Sequence, residues 1–142
     1  MRLHFPDVNV WLALHYEFHP HHRAAKAWFE NPDQQSVLIF CRQTQLGMFR
    51  LLSTESVMGT EALSQRQCWT LYERWIESGR AELWSEPAGL EGTFQRDSNT
   101  EEQSPKRWTD AYLGAFAEAA ELTLVTFDRA LAGKTKGAVL LS

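Results

Sequence analysis

The chain has 142 residues, 44% of them hydrophobic and 23% charged; this is the composition of one globular domain, residues 1–142, with a core of its own. No apolar run approaches the ~20 residues that cross a bilayer, and the few apolar residues after Arg2 do not form a secretory leader, so a cytoplasmic protein without membrane contact is expected. A formal net charge of −4 excludes a uniformly basic surface, so any nucleic-acid chemistry needs local cations or a bound metal.

The elements follow in chain order. Residues 2–6 form a short apolar run that ends at Asp7 and reads as a strand. Residues 9–18 are expected to be helical, with Val10, Leu12, Ala13, Leu14 and Phe18 as apolar members. His19-Pro20 interrupts the pattern, and residues 21–30 resume it up to the turn at Asn31-Pro32-Asp33. Residues 37–40 read as a short buried strand or an extended lead-in, and 44–53 as a helix with Leu46, Phe49 and Leu52 on one side. Thr60 is placed as the cap of a longer helix carrying Leu63, Cys68, Leu71, Tyr72 and Trp75. Residues 81–84 read as a strand. From Gln95 to Lys106 there is no apolar residue, which predicts an exposed loop. Residues 108–121 give the clearest helix, and 122–127 a second strand ending in an acid, Asp128. Residues 138–141 give a last strand. Strands alternating with helices predict a parallel α/β sandwich with right-handed crossovers.

Three acids stand out on this outline. Asp7 and Asp128 each close an apolar strand, and Asp110 opens the helix between them. In a parallel sheet both strand-end carboxylates emerge at the carboxyl edge, where open α/β sheets place their ligands. Three converging carboxylates suit a divalent metal and phosphodiester chemistry. Each acid alone has a plainer reading: Asp7 as a helix cap, Asp110 as a complement to a helix dipole, Asp128 as a turn former. Thr126 points to the same side as Asp128, either to hold a metal-bound water or to finish the sheet. Asn9 either orients Asp7 or caps the first helix. Arg50 is a candidate partner for a site carboxylate or an RNA phosphate, against a solvated cation. Lys106, Arg107, Arg129, Lys134 and Lys136 are candidates for a basic rim, against scattered surface charge. His15, His19, His21 and His22 crowd together, but Pro20 breaks the spacing a zinc site would use. Cys41 and Cys68 are expected as buried thiols of a reducing compartment. The six tryptophans, Trp28, Trp69 and Trp75 among apolar helical neighbours, are assigned to core and interface rather than to a base-stacking platform. Trp11 and Leu14 are expected on an exposed groove for a partner peptide. There is no GxSxG, Walker or GxGxxG string to support serine hydrolase, NTPase or dinucleotide roles.

The strings around the acids are specific. Phe5-Pro6-Asp7-Val8-Asn9-Val10-Trp11-Leu12-Ala13-Leu14, Trp108-Thr109-Asp110-Ala111-Tyr112-Leu113 and Thr126-Phe127-Asp128-Arg129-Ala130-Leu131 resemble the signature segments of PIN-domain ribonucleases, and most closely the VapC-type toxins of type II toxin–antitoxin modules. The stretches 19–29 and 44–53 are similar to one VapC subgroup. The resemblance implies a PIN-like three-layer α/β/α sandwich with a five-stranded parallel sheet. It also implies Mg²⁺- or Mn²⁺-dependent RNA cleavage to a 5′-phosphate and a 3′-hydroxyl, a homodimer, and a cognate VapB-like antitoxin whose basic segment enters the acidic pocket. Asp7, Asp110 and Asp128 would be the catalytic, metal-holding acids. One departure stands out: the family pattern carries an acid in the helix after the second strand, and residues 34–54 here contain none. Gln45, or Gly47, takes its place, and a glutamine offers a carbonyl oxygen but no charge. A catalytically weakened PIN module that binds RNA or antitoxin without cutting is therefore the alternative. A phospho-accepting receiver-like or phosphatase-like domain would need a second acid beside Asp7, where this chain has Asn9.

Overall fold

A computed structural model describes residues 2–142. Five strands, β1 (Arg2–Pro6), β2 (Ser36–Phe40), β3 (Ala81–Leu83), β4 (Thr123–Thr126) and β5 (Val139–Leu140), form one sheet in the order β3-β2-β1-β4-β5. Every pairing is parallel, with Leu3 opposite Val37, Phe5 opposite Leu124, Ile39 opposite Glu82 and Thr126 opposite Leu140. The chain builds outward from β1 to β3 on one side, then returns to place β4 on the other. The order therefore reverses between β1 and β4, and a crevice opens at the carboxyl ends of those two strands.

The β2 sequence Ser-Val-Leu-Ile-Phe is buried at every position, as a central parallel strand requires. Its alternation feeds two cores. Val37 and Ile39 join Phe5, Leu113, Phe116, Leu124 and Leu131 on one face. Leu38 and Phe40 join Trp11, Met48, Leu52 and Tyr72 on the other. Helices α1 (Val8–His15), α3 (Arg42–Leu52) and α5 (Gln65–Glu77) contribute to the second core; α6 (Leu90–Ser98), α7 (Pro105–Ala120) and α8 (Arg129–Lys134) contribute to the first. Helix α2 (His22–Glu30) is tied to α1 by the His22 ring, whose Nδ1 lies 2.6 Å from the Ala13 carbonyl oxygen. One-turn α4 (Glu55–Met58) precedes a short 3₁₀ turn. No helix among the described residues is long and apolar enough to cross a membrane.

Several expectations need correction. Helix α1 stops at His15, and Phe18 is exposed beyond it. Thr60 lies in the 3₁₀ turn, and the long helix is capped instead by Ser64, whose hydroxyl accepts from the Gln67 amide while the Gln67 side chain accepts from the Ser64 amide. The stretch from Gln95 is not all loop: α6 runs to Ser98, because Leu90 and Phe94 anchor its inner face one turn apart and leave its last turn to solvent. Trp69 is half-exposed and Trp108 is 60% exposed, so these two lie on the surface and not in the core. Trp11 is 0% exposed. It stacks on Phe40 with ring centroids 3.9 Å apart and meets Trp75 edge-on, so it cannot line a peptide groove. Cys41 and Cys68 are free, buried thiols, as expected.

Candidate active site

Asp7 follows the last residue of β1. Its backbone N–H donates to the Val125 carbonyl at 3.0 Å, which extends the β1–β4 ladder by one step. Its carboxylate then caps α1, with Oδ1 accepting from the Val10 amide at 3.2 Å. The other oxygen, Oδ2, accepts from the buried Thr126 hydroxyl. Thr126 Oγ1 in turn accepts from the Asp128 amide at 2.9 Å, so one threonine at the end of β4 joins the two strand-end acids. Burial pushes the Asp7 carboxyl above the usual carboxylate range, opposed by the bonds from Thr126, Val10 and the Asn9 amide, and the Asp128 charge adds to the rise.

Asp128 caps α8, its Oδ1 accepting from the Ala130 and Leu131 amides at 2.9 and 3.2 Å. Its Oδ2 accepts from Lys106 Nζ at 2.6 Å, and the same ammonium donates to Asp110 Oδ2 at 2.9 Å. Lys106 and Asp110 are one turn apart on α7. The bond from Lys106 holds the Asp128 carboxyl below its ordinary value, and both acids raise the lysine.

The structure therefore brings together Asp110 and Asp128 on one cation, and links Asp7 to Asp128 through Thr126. Three acids around a single point were expected. Among the described residues no group of three His, Cys, Asp or Glu side chains is placed to hold a metal, because Asp7 is turned inward to Thr126 and the α1 amides. The donor set still fits a hard divalent cation: carboxylate and hydroxyl oxygens are its preferred ligands, and the Lys106 ammonium shows that one cation reaches both Asp110 and Asp128.

The other expected residues divide. Thr126 is at the centre of the linkage. Asn9 contributes its backbone N–H toward Asp7, while its side chain is exposed. Gln45 is buried, but its Oε1 accepts from Arg42 at 2.6 Å and its side chain lies beside the Tyr72 hydroxyl; neither bond runs to an acid. Gly47 abuts Val8, so α3 meets α1 there. Arg50 is exposed and has no ion pair among the described residues. Two further residues belong to this region. Gln43 lies one turn before Gly47 on α3, and its buried Oε1 has no hydrogen-bond partner among the described residues. Lys106, a rim candidate by sequence, stands four residues before Asp110, a spacing that marks a helical ion pair.

The model of the PIN domain family matches residues 4–136. Ribonuclease VapC41 of Mycobacterium tuberculosis is 39% identical over 128 residues, covering 87% of this chain and 88% of that protein. Ribonuclease VapC44 of the same organism is 32% identical over 126 residues, covering 89% and 86%. Among solved structures, the sarcin-ricin loop cleaving toxin VapC20 of M. tuberculosis superimposes with a TM-score of 0.63 at 16% identity, covering 92% of this chain and 93% of that one. With the PIN family model matching residues 4–136 and a VapC ribonuclease 39% identical over 87% of its length, the chain belongs to the VapC-type PIN-domain ribonuclease toxins.

Proposed function

We propose that this protein is a metal-dependent endoribonuclease, the toxin of a type II toxin–antitoxin pair, with Asp7, Asp110 and Asp128 as its catalytic acids. The observation that carries this reading is the shared cation of Asp110 and Asp128 at the sheet's switch point, tied through Thr126 to Asp7. Mg²⁺ or Mn²⁺ held there would supply Lewis acidity, for water activation and for neutralising charge on the phosphodiester. The chain's own residues do the rest. Asp110 and Asp128 would hold the ion. Thr126 fixes the direction of the Asp7 carboxylate by donating to one of its oxygens, and the α8 amides fix Asp128. Burial raises the Asp7 carboxyl above its ordinary range, and a cation bound nearby would favour its charged form.

Asp7→Asn and Asp128→Asn should each reduce Mg²⁺-dependent RNA cleavage by at least about 10²-fold with the circular dichroism spectrum unchanged. Full cleavage by either purified variant would remove it from the site. The lack of an acid over residues 34–54 favours one other reading, a PIN module that binds RNA or antitoxin without cutting; wild-type protein inert toward RNA across Mg²⁺ and Mn²⁺ titrations would select it.

The partners follow from the same reading: an RNA substrate and a VapB-like antitoxin whose arginine pairs with the Asp110–Asp128 carboxylates. The buried position of Trp11 removes the α1 groove as the antitoxin's apolar seat. A homodimer completes the proposal, with exposed Leu46, Trp69, Ile76 and Leu83 as apolar surface available for it.

A further inference from the structure

We infer that Lys106 is a built-in counter-ion: in the metal-free protein its ammonium stands where a divalent ion would sit between Asp110 and Asp128, and metal binding must displace it. This rests on the proposed metal site and concerns a residue that the site's three acids do not include.

The geometry is direct. Lys106 Nζ reaches Asp110 Oδ2 at 2.9 Å and Asp128 Oδ2 at 2.6 Å. No side chain other than Lys106 forms an ion pair with either acid among the described residues. The two acids belong to different elements, α7 and the loop between β4 and α8. A single cation therefore closes the gap between a helix and a strand end. The lysine side chain is 64% exposed, while those of Asp110 and Asp128 are 13% and 29% exposed. An exposed, flexible lysine can swing into solvent at little cost, whereas Asp128 is fixed by the α8 amides and Asp110 is carried, largely covered, on α7. The oxygens engaged by the ammonium are Oδ2 of both acids, and Asp128 Oδ1 is already committed to the α8 amides. The free valence of Asp128 is thus the one Lys106 holds, and an incoming ion competes for it. Lys106 keeps two like charges together before the metal arrives and then leaves, so the site is preformed at the expense of affinity.

The test separates this role from a merely structural one, because its two effects have opposite signs. Lys106→Gln and Lys106→Met should bind Mn²⁺ more tightly than wild type, with a Kd roughly three- to tenfold lower by calorimetry. In EDTA the same variants should melt at a lower temperature than wild type, and saturating Mn²⁺ should close or reverse that gap. Unchanged or weaker Mn²⁺ binding by both variants overturns the inference. Asp128→Asn serves as the control for the underlying site. If it binds Mn²⁺ as wild type does, the ion does not sit at these acids, and the assignment of the site fails; if it loses binding while the Lys106 variants show no gain, the site stands and the counter-ion role alone falls.

Discussion

His15 makes two hydrogen bonds that only a neutral imidazole can make together. Its Nδ1–H donates to the Trp11 carbonyl at 2.7 Å, and its Nε2 accepts from the Trp75 indole N–H at 2.7 Å. Burial lowers its pKa from the ordinary value of 6.5, and nearby His22 adds to the fall. The folded state therefore binds fewer protons than the unfolded state. The stability this contributes is complete above about 6.5 and is lost as pH drops through the lowered folded value. Stability to urea should fall between pH 7.5 and 5.5. His15→Gln should be less stable at pH 7.5 by about 1–2 kcal/mol, through the lost bonds, yet show a shallower decline on acidification. Parallel curves for the two proteins would remove His15 as a source of the pH dependence. At the same scale, Gln43 and Gln45 are two residues apart on α3 and so differ by more than half a turn. Gln43 shares the face of Gly47, which meets Val8 beside Asp7, whereas Gln45 bonds to Arg42. Gln43→Glu should tighten Mn²⁺ binding, and Gln45→Glu should leave it unchanged while strengthening the pair with Arg42. The reverse order in calorimetry would restore Gln45 as the residue in the family's acidic place.

Among the elements, the contact of α1 with α3 is the least forgiving. A Cβ on Gly47 would lie 2.7 Å from Val8 Cγ2, and a β-branched side chain in a helix has little rotamer freedom with which to yield. Gly47→Ala should cost about 1–3 kcal/mol in urea unfolding. The displaced Val8 adjoins Asp7, so Mn²⁺ affinity should weaken with it; a variant of wild-type stability would show that α3 can shift without penalty. This contact also shows what could be read from the chain and what could not. Strand β2 and the strand-end acids Asp7 and Asp128 are local features, legible as an apolar run and as its end. Helix α1 is different: Val10, Trp11, Leu12 and Ala13 are buried in succession, because the helix is wrapped by the sheet, α2 and α3. A helix buried nearly all round has no dominant face, so periodicity gave no sign that Trp11 points inward. Leu90 and Phe94 were too few to announce α6. Gly47 was visible as a letter, but its reason is a neighbour 39 positions away.

For the whole molecule, the difficulty is a net charge of −4 in a protein proposed to hold RNA. The cations on the elements that carry the acids or pack beside them are not equally available. Arg96 is paired with Asp97 and Glu118, Arg107 donates to the Asp97 carbonyl, and Lys106 is held by the two acids. Arg129, Lys134 and Lys136 form no ion pair among the described residues; Arg129 adjoins Asp128, while α8 carries Lys134 away toward Gly114 and Glu118 of α7. Binding to RNA should then draw on few protein charges. With each phosphate contact on a single strand contributing about 0.7 to the slope of log K against log salt, three contacts predict a slope of about −2. Arg129→Ala with Lys134→Ala should halve it or more, measured with Asp7→Asn protein so that cleavage does not intrude. Adding Ca²⁺ should strengthen binding by neutralising Asp110 and Asp128 at the point where a phosphate must approach. A slope far steeper than −2 in the parent, or no response to Ca²⁺, would place the RNA on a different face, away from the carboxyl edge of β1 and β4.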